Sequence, residues 1–282
     1  MGLPFISGRM GRGGTLASAT GGGGGGALSN EYSISLDGTD DFVTMSNPAD
    51  LNFSGDTTIS FWVKYTNQAS SFNFLIDKST DFSARQYALY LRNQTGGTKT
   101  FSFSTSGGTA VINNSTNTIS VNEWSHVAVV VESGVNNGTK LYINGTSETL
   151  GTHTITTNDP APFQLGKRSD TSFTFGGLMD EVAIFNSALS ATDISTLRGG
   201  ASAGTLGLPA DISSLNPVGW WRMGDGSDGS GNADGTLVDI GGTDFPQIYN
   251  VATDGSGNRI TGIDGSLTNI ASPNGIVSDV PS

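Results

Sequence analysis

Apolar side chains in this chain recur at every second position, in runs of strand length. Ile59, Phe61 and Val63 alternate with Ser60, Trp62 and Lys64, and Tyr87, Leu89 and Leu91 alternate with Ala88, Tyr90 and Arg92. Successive side chains of an extended backbone point to opposite faces, so a period of two lays one apolar face on a core and turns the other outward. Phe101 and Phe103 share one face of the next run in the same way. Gly, Asn and Ser separate the runs at a spacing of roughly ten residues, which suits hairpins and leaves no room for the crossover helices of a parallel sheet. The pattern predicts an all-β fold, two antiparallel sheets stacked as a sandwich.

Local signals agree with that layout. Trp124–Val131 is apolar on both faces and predicts a strand in the middle of a sheet. Lys140-Leu141-Tyr142-Ile143 runs into Asn144-Gly145, the pair that best tolerates the positive φ of a type I′ hairpin turn. One helix is expected after the last strand. Ser190 supplies its N-cap with Asp193 three residues on, Leu189 and Ile194 can staple across the cap, and Gly199-Gly200 ends it.

Composition removes several functions. The chain has 282 residues, 41 glycines and no cysteine, which excludes disulfides, thiolate metal sites and cysteine nucleophiles. Its net charge is −12, unevenly spread: residues 1–30 carry two arginines and no acid, whereas residues 205–282 carry nine aspartates against two arginines. A broad basic surface for nucleic acid is not what this balance provides. No run of eighteen apolar residues is present, and the first thirty residues lack the apolar stretch of a secretory signal, so neither a membrane span nor export by that route is expected.

Three sections follow along the chain. Residues 1–30 form a Gly-rich arm that includes six consecutive glycines, Gly21 to Gly26, with no side chains to bury. Residues 31–204 form the sandwich. Residues 205–282 form an Asp- and Gly-rich extension, read as a partial second repeat or as a strand-rich addition that packs on the sandwich or on a neighbouring chain, with Trp220 and Trp221 as buried anchors.

The segment Gly177-Leu178-Met179-Asp180-Glu181-Val182-Ala183-Ile184-Phe185, followed by Ala188-Leu189-Ser190, resembles the closing strand of the concanavalin A-like, or laminin G-like, jelly roll. Ser33 to Val43, Thr58 to Lys64, Trp124 to Val131, Leu141 to Gly145 and Gln164 to Leu197 fall in that family's order. The resemblance implies a fold used mainly for binding and one structural Ca²⁺. Asp180 takes the carboxylate role at that calcium, with Asp37 and the turn at Gly55-Asp56 nearby; the alternative is that Asp180 accepts backbone hydrogen bonds without a metal. Asp225, Asp228, Asn232 and Asp234 are read as turn residues, because they lack the spacing and terminal Glu of an EF-hand loop.

Catalysis is not expected. Glucanases of the superfamily carry a Glu-x-Asp-x-x-Glu strand, which is not found here, and the adjacent pair Asp180-Glu181 should point to opposite faces. His126 and His153 have no sequence partner that suggests a triad, and are read as core residues. Sugar binding is the family's other habit, for which Tyr87, Tyr90, Arg92, Lys167 and Arg168 supply stacking rings and charged donors, although no ligand-binding set can be chosen among them. The Gly-rich start and Trp220-Trp221-Arg222-Met223-Gly224-Asp225 are also similar to lectin-like structural proteins of tailed bacteriophages. That second resemblance implies a non-enzymatic virion component, a capsid decoration or a tail or fibre part. It would be held to other virion proteins through residues 1–30, with a cell-surface glycan as ligand and a homo-oligomeric state. A secreted or surface bacterial lectin and a glycoside hydrolase are the alternatives.

Overall fold

The alternating runs become strands that pair antiparallel throughout. The computed structural model describes residues 30, 32–45, 51–66, 71–81, 84–93, 98–106, 110–157, 161–169, 173–223, 226–227, 233–234, 247–248, 265–268 and 276–281. Twelve strands come first: β1 (Ser33–Asp37), β2 (Phe42–Met45), β3 (Thr57–Tyr65), β4 (Phe72–Ser79), β5 (Arg85–Asn93), β6 (Thr98–Ser106), β7 (Ala110–Ser120), β8 (Trp124–Val131), β9 (Thr139–Ile143), β10 (Thr146–Gly151), β11 (Phe163–Leu165) and β12 (Gly176–Phe185). Helix α1 (Ala191–Thr196) follows them. The later strands are β13 (Gly219–Trp221), β14 (Gly226–Ser227), β15 (Ala233–Asp234), β16 (Gln247–Ile248), β17 (Gly265–Thr268) and β18 (Ile276–Val277).

One sheet runs β10-β9-β8-β3-β12-β1-β18, and the other runs β16-β17-β2-β11-β4-β5-β6-β7. The expected two-sheet jelly-roll sandwich is the fold observed, with β8 inside its sheet as the apolar run predicts. Ile59, Phe61, Val63, Tyr87, Leu89, Leu91, Phe101 and Phe103 all lie in the core between the sheets. The β9–β10 hairpin turns through Asn144 and Gly145 at φ of 49° and 79°, the two positive values that the Asn-Gly pair anticipates. In α1 the Ser190 side chain accepts from the Asp193 N–H, and the Asp193 side chain accepts from the Ser190 N–H, so the capping box is complete.

The outward face of the first sheet is also covered. Ser60 and Trp62 in β3 are as buried as their core-facing neighbours. A second cluster of Ala128, Val130, Tyr142, Ala183, Phe185, Ile194, Leu197, Ile212 and Trp220 roofs this face. The roof comes from α1 and the segment after it, so the period-two pattern marks the larger core and misses the smaller one.

Most of the described part of residues 205–281 is built into the sandwich, while β14 and β15 form a two-stranded sheet of their own. β13 pairs with β12, placing Trp221 and Met223 in the main core, while β17 adds to β2 and β18 adds to β1. Trp221 is fully buried, and its ring stacks on Phe163 at 5.5 Å. β1 and β13 lie end to end along one edge of β12, and β12 bulges between Asp180 and Ala183 at their junction. Near Val277, Asp279 accepts from Lys64 Nζ at 2.5 Å and from Trp124 Nε1 at 2.9 Å, and its carbonyl accepts from Ser33 Oγ at 2.6 Å. Apart from Asn30, the arm lies outside the described residues, as do Asp225, Asp228 and Asn232.

Candidate functional site

The outer face of the second sheet carries an aromatic groove. In β4 Phe72 and Phe74 point outward, and a bulge between Phe74 and Ile76 then sends Ile76 into the core and returns Asp77 to the outer side. The register sets Phe72 opposite Arg92 and Phe74 opposite Tyr90 in β5. Phe173 joins them from the segment after β11, where the Arg168 N–H donates to the Phe173 carbonyl at 3.1 Å and Lys167 bridges to Thr174. Phe74 and Tyr90 stack at 4.6 Å, and Phe72 meets Phe173 edge-on at 5.5 Å. Ring pairs of this kind hold an apolar floor in place, and the Tyr90 hydroxyl is the polar atom these four rings bring to it.

Two guanidinium groups border the floor. Arg92 lies 5.6 Å from the Phe72 ring centre, and Arg168 lies 5.1 Å from Phe173 and 5.5 Å from Phe74. Arg92 Nη1 donates to Asn114 Oδ1 at 3.1 Å, and Ser102 Oγ donates to the same oxygen at 2.6 Å. With Ile112, the four rings and the two arginines line an open groove of about 220 Å³. The groove offers rings for stacking and forked donors for oxygen acceptors, the combination that holds a saccharide or another flat polar ligand.

The structure divides the sequence candidates for sugar contact. It brings Tyr90, Arg92 and Arg168 together in the groove. Tyr87 is fully buried and meets Phe163 edge-on inside the sandwich, while Lys167 sits 4.2 Å from the Phe42 ring centre. The odd and even positions of β5 already separate Tyr87 from Tyr90. Phe72, Phe74 and Phe173 were not singled out by the sequence reading, although Phe72-Asn73-Phe74 has the right alternation. The bulge at Leu75 interrupts that pattern and conceals the strand's outward face.

Asp77 lies on the same outer side of β4, opposite Ala88, and is buried. Its Oδ2 accepts from Ser79 Oγ at 2.6 Å and from the Ser169 N–H at 3.0 Å. Burial pushes its carboxyl above the ordinary aspartate value, against these hydrogen bonds and the nearby Arg85 charge.

The residues that resemblance assigns to calcium do not converge. Asp180 is fully buried at the bulge, where its Oδ2 accepts from Asn30 Nδ2 at 2.9 Å and its Oδ1 accepts from the Glu181 N–H at 2.7 Å. Asp37 pairs with Gly176, four residues along β12 from Asp180, and Asp56 accepts from the Ser133 N–H beyond the far end of β3. The separation follows from strand rise, since four residues of extended chain span about 13 Å. Asn30 Oδ1 is buried beside Asp180 without a hydrogen-bond partner, and an unsatisfied oxygen next to a carboxylate fits a hard cation. Asp37 instead groups with Asp40 and Asp41, their carboxylate oxygens within 4.8 Å of one another, and burial raises the Asp41 carboxyl above its usual range.

Glu181 has its own partners. At φ 46° its carboxylate accepts from Trp220 Nε1 at 2.5 Å and pairs with Arg222 Nε at 2.9 Å. Asp180 and Glu181 thus serve different neighbours on the two sides of the bulge. Both histidines are buried and neutral: His126 Nε2 lies 2.9 Å from Ser60 Oγ, and burial, aided by the Arg198 charge, holds its pKa down at about 3. His153 Nδ1 lies 3.1 Å from Thr139 Oγ1, and burial holds its pKa down at about 4.

The sequence profile of the concanavalin A-like lectin/glucanases superfamily matches residues 37–195, and the chain belongs to that family. Among solved structures, the fold is similar to a Bacteroides ovatus protein proposed to bind carbohydrate, with a TM-score of 0.57 and 16% identity, covering 90% of this chain and 62% of that one. A SAP-like pentraxin from Limulus polyphemus aligns with a TM-score of 0.47 and 15% identity, over 62% of this chain and 84% of its own. Tailspike protein 2 of bacteriophage CBA120 aligns with a TM-score of 0.47 and 11% identity, over 67% of this chain and 33% of its own. Identities this low speak for the fold alone. No curated protein matches the chain.

Proposed function

We propose that this protein is a non-enzymatic glycan-binding component of a bacteriophage particle, and that the groove over Phe72, Phe74, Tyr90 and Phe173 is its binding site. The observation that carries the reading is the aromatic floor bordered by Arg92 and Arg168 on an outer sheet face. Sugar rings stack on such floors through their C–H faces, while guanidinium forks take their oxygens. The described lining of the groove has no pair of carboxylates, which supports binding without hydrolysis. The Bacteroides relative agrees with this reading at the level of fold.

The virion role rests on the sequence resemblance to phage structural proteins and on the Gly-rich arm before Asn30. In this reading the arm meets other virion proteins and the particle presents several copies, since linked weak sites gain strength without new contacts. Among the described residues no helix is long and apolar enough to cross a membrane. One Ca²⁺ held by Asp180 and Asn30 belongs to the same reading, as a support for the bulge.

Glycan-array binding by the full chain, repeated with Phe72→Ala, tests the site: signal that the variant loses supports it, and an unchanged signal removes the groove. A reducing-end assay on the bound glycans tests the absence of hydrolysis. Mass spectrometry of purified particles tests the virion role, and a chain found only in the host's own surface fraction would favour the bacterial lectin.

A further inference from the structure

We infer that the groove selects acidic saccharides, sugars that carry a carboxylate or a sulfate, an inference that rests on the glycan reading above. The chain has a net charge of −12, yet the charged groups among the groove's described lining are two arginines. Beside rings, a guanidinium gains more from an anionic oxygen than from a hydroxyl, because a carboxylate or sulfate brings an opposite charge and two oxygens that can take both prongs of the fork.

The placement of each cation supports this choice. Arg92 donates through Nη1 to the amide oxygen of Asn114, a neutral acceptor that Ser102 also approaches. That bond fixes the side chain across the floor without cancelling its charge, and a guanidinium has five N–H donors. Arg168 is positioned from the other side by its backbone bond to Phe173 and by its contacts with two rings. The two guanidinium groups therefore border one floor from separate elements, β5 and the segment after β11. The carboxyl that shares this face of β4, Asp77, is engaged by Ser79 and Ser169.

An array of matched oligosaccharides in neutral, uronate and sulfated forms tests the inference on the full chain, with affinities then measured by calorimetry. The expected result is tighter binding of the charged forms by about tenfold or more, weakened by added salt. Arg92→Gln and Arg168→Gln should each lose about tenfold on charged forms and little on neutral ones, while Phe72→Ala weakens all of them. The uronate and sulfate arms identify which anion is read. Equal affinity for neutral and charged forms, or Arg variants that bind charged forms like the parent, overturns the acidic preference and leaves the glycan site standing. Absence of binding to every form, or a Phe72→Ala variant that binds all forms unchanged while folded by circular dichroism, overturns the glycan reading itself.

Discussion

Single residues in this protein carry unequal loads, and the buried titratable groups show it best. His126 and His153 are held neutral with pKa values of about 3 and about 4, below the 6.5 of an exposed imidazole. The unfolded chain therefore binds protons that the folded chain refuses, and stability is lost as pH falls below about 6.5, until the folded values are reached. Each histidine contributes a slope of roughly 1.4 kcal/mol per pH unit in that window. Asp77 acts in the opposite sense, because its raised carboxyl favours the folded state in acid and loses that contribution as pH rises through its folded value. Urea titrations at pH 7.5 and pH 5 should show a clear loss at pH 5, and a His126→Gln, His153→Gln double variant should flatten it. A parent protein equally stable at both values would refute the buried neutral imidazoles. At Asp180 the expectation concerns metal: calcium at about a hundred times its dissociation constant should add about 2.7 kcal/mol, read as a higher melting temperature than in chelator. Asp180→Asn should abolish that difference, and a parent indifferent to calcium would mean that Asn30 and the backbone suffice.

Elements differ in how openly the sequence announces them. β3 and β5 were legible because their core faces alternate strictly, and α1 was legible because a capping box is a local signal. β4 was harder to read: its bulge shifts the parity after Phe74, so an outward aromatic pair and an outward carboxyl do not share one period. The groove needed β4, β5 and the segment after β11 together, and the Phe72–Arg92 and Phe74–Tyr90 pairings arise from register, which a single strand's sequence does not carry. The covering of the first sheet's outward face was hidden for a similar reason, since Ile212 and Trp220 return to it from distant positions. β13 is the element with the largest expected effect. Trp221→Ala removes a ring stacked on Phe163 in the main core and should cost about 3–5 kcal/mol in chemical denaturation. Val111→Ala, at an exposed position of β7, should stay within about 0.5 kcal/mol. Similar losses at both positions would mean that β13 is not part of the cooperative fold.

As a whole molecule, the sandwich is completed by chain from beyond its matched region. The family profile ends at residue 195, yet Trp221, Met223, β17 and β18 all contribute to the two sheets or the core between them. A chain truncated after Gly204 would expose the inner faces beneath β13 and leave Glu181 buried without Trp220 and Arg222. It should aggregate or melt far below the parent, by light scattering and thermal unfolding, and a truncated chain as stable as the parent would show these strands to be dispensable. The bond between Asp279 and Ser33 has a geometric consequence of its own. It draws both ends of the described fold to the sheet that turns its back on the aromatic floor, so a tether joined at either end would grip the reverse of the molecule. The aromatic face would then look away from whatever scaffold bears it, as a probe does when it is immobilised by its handle.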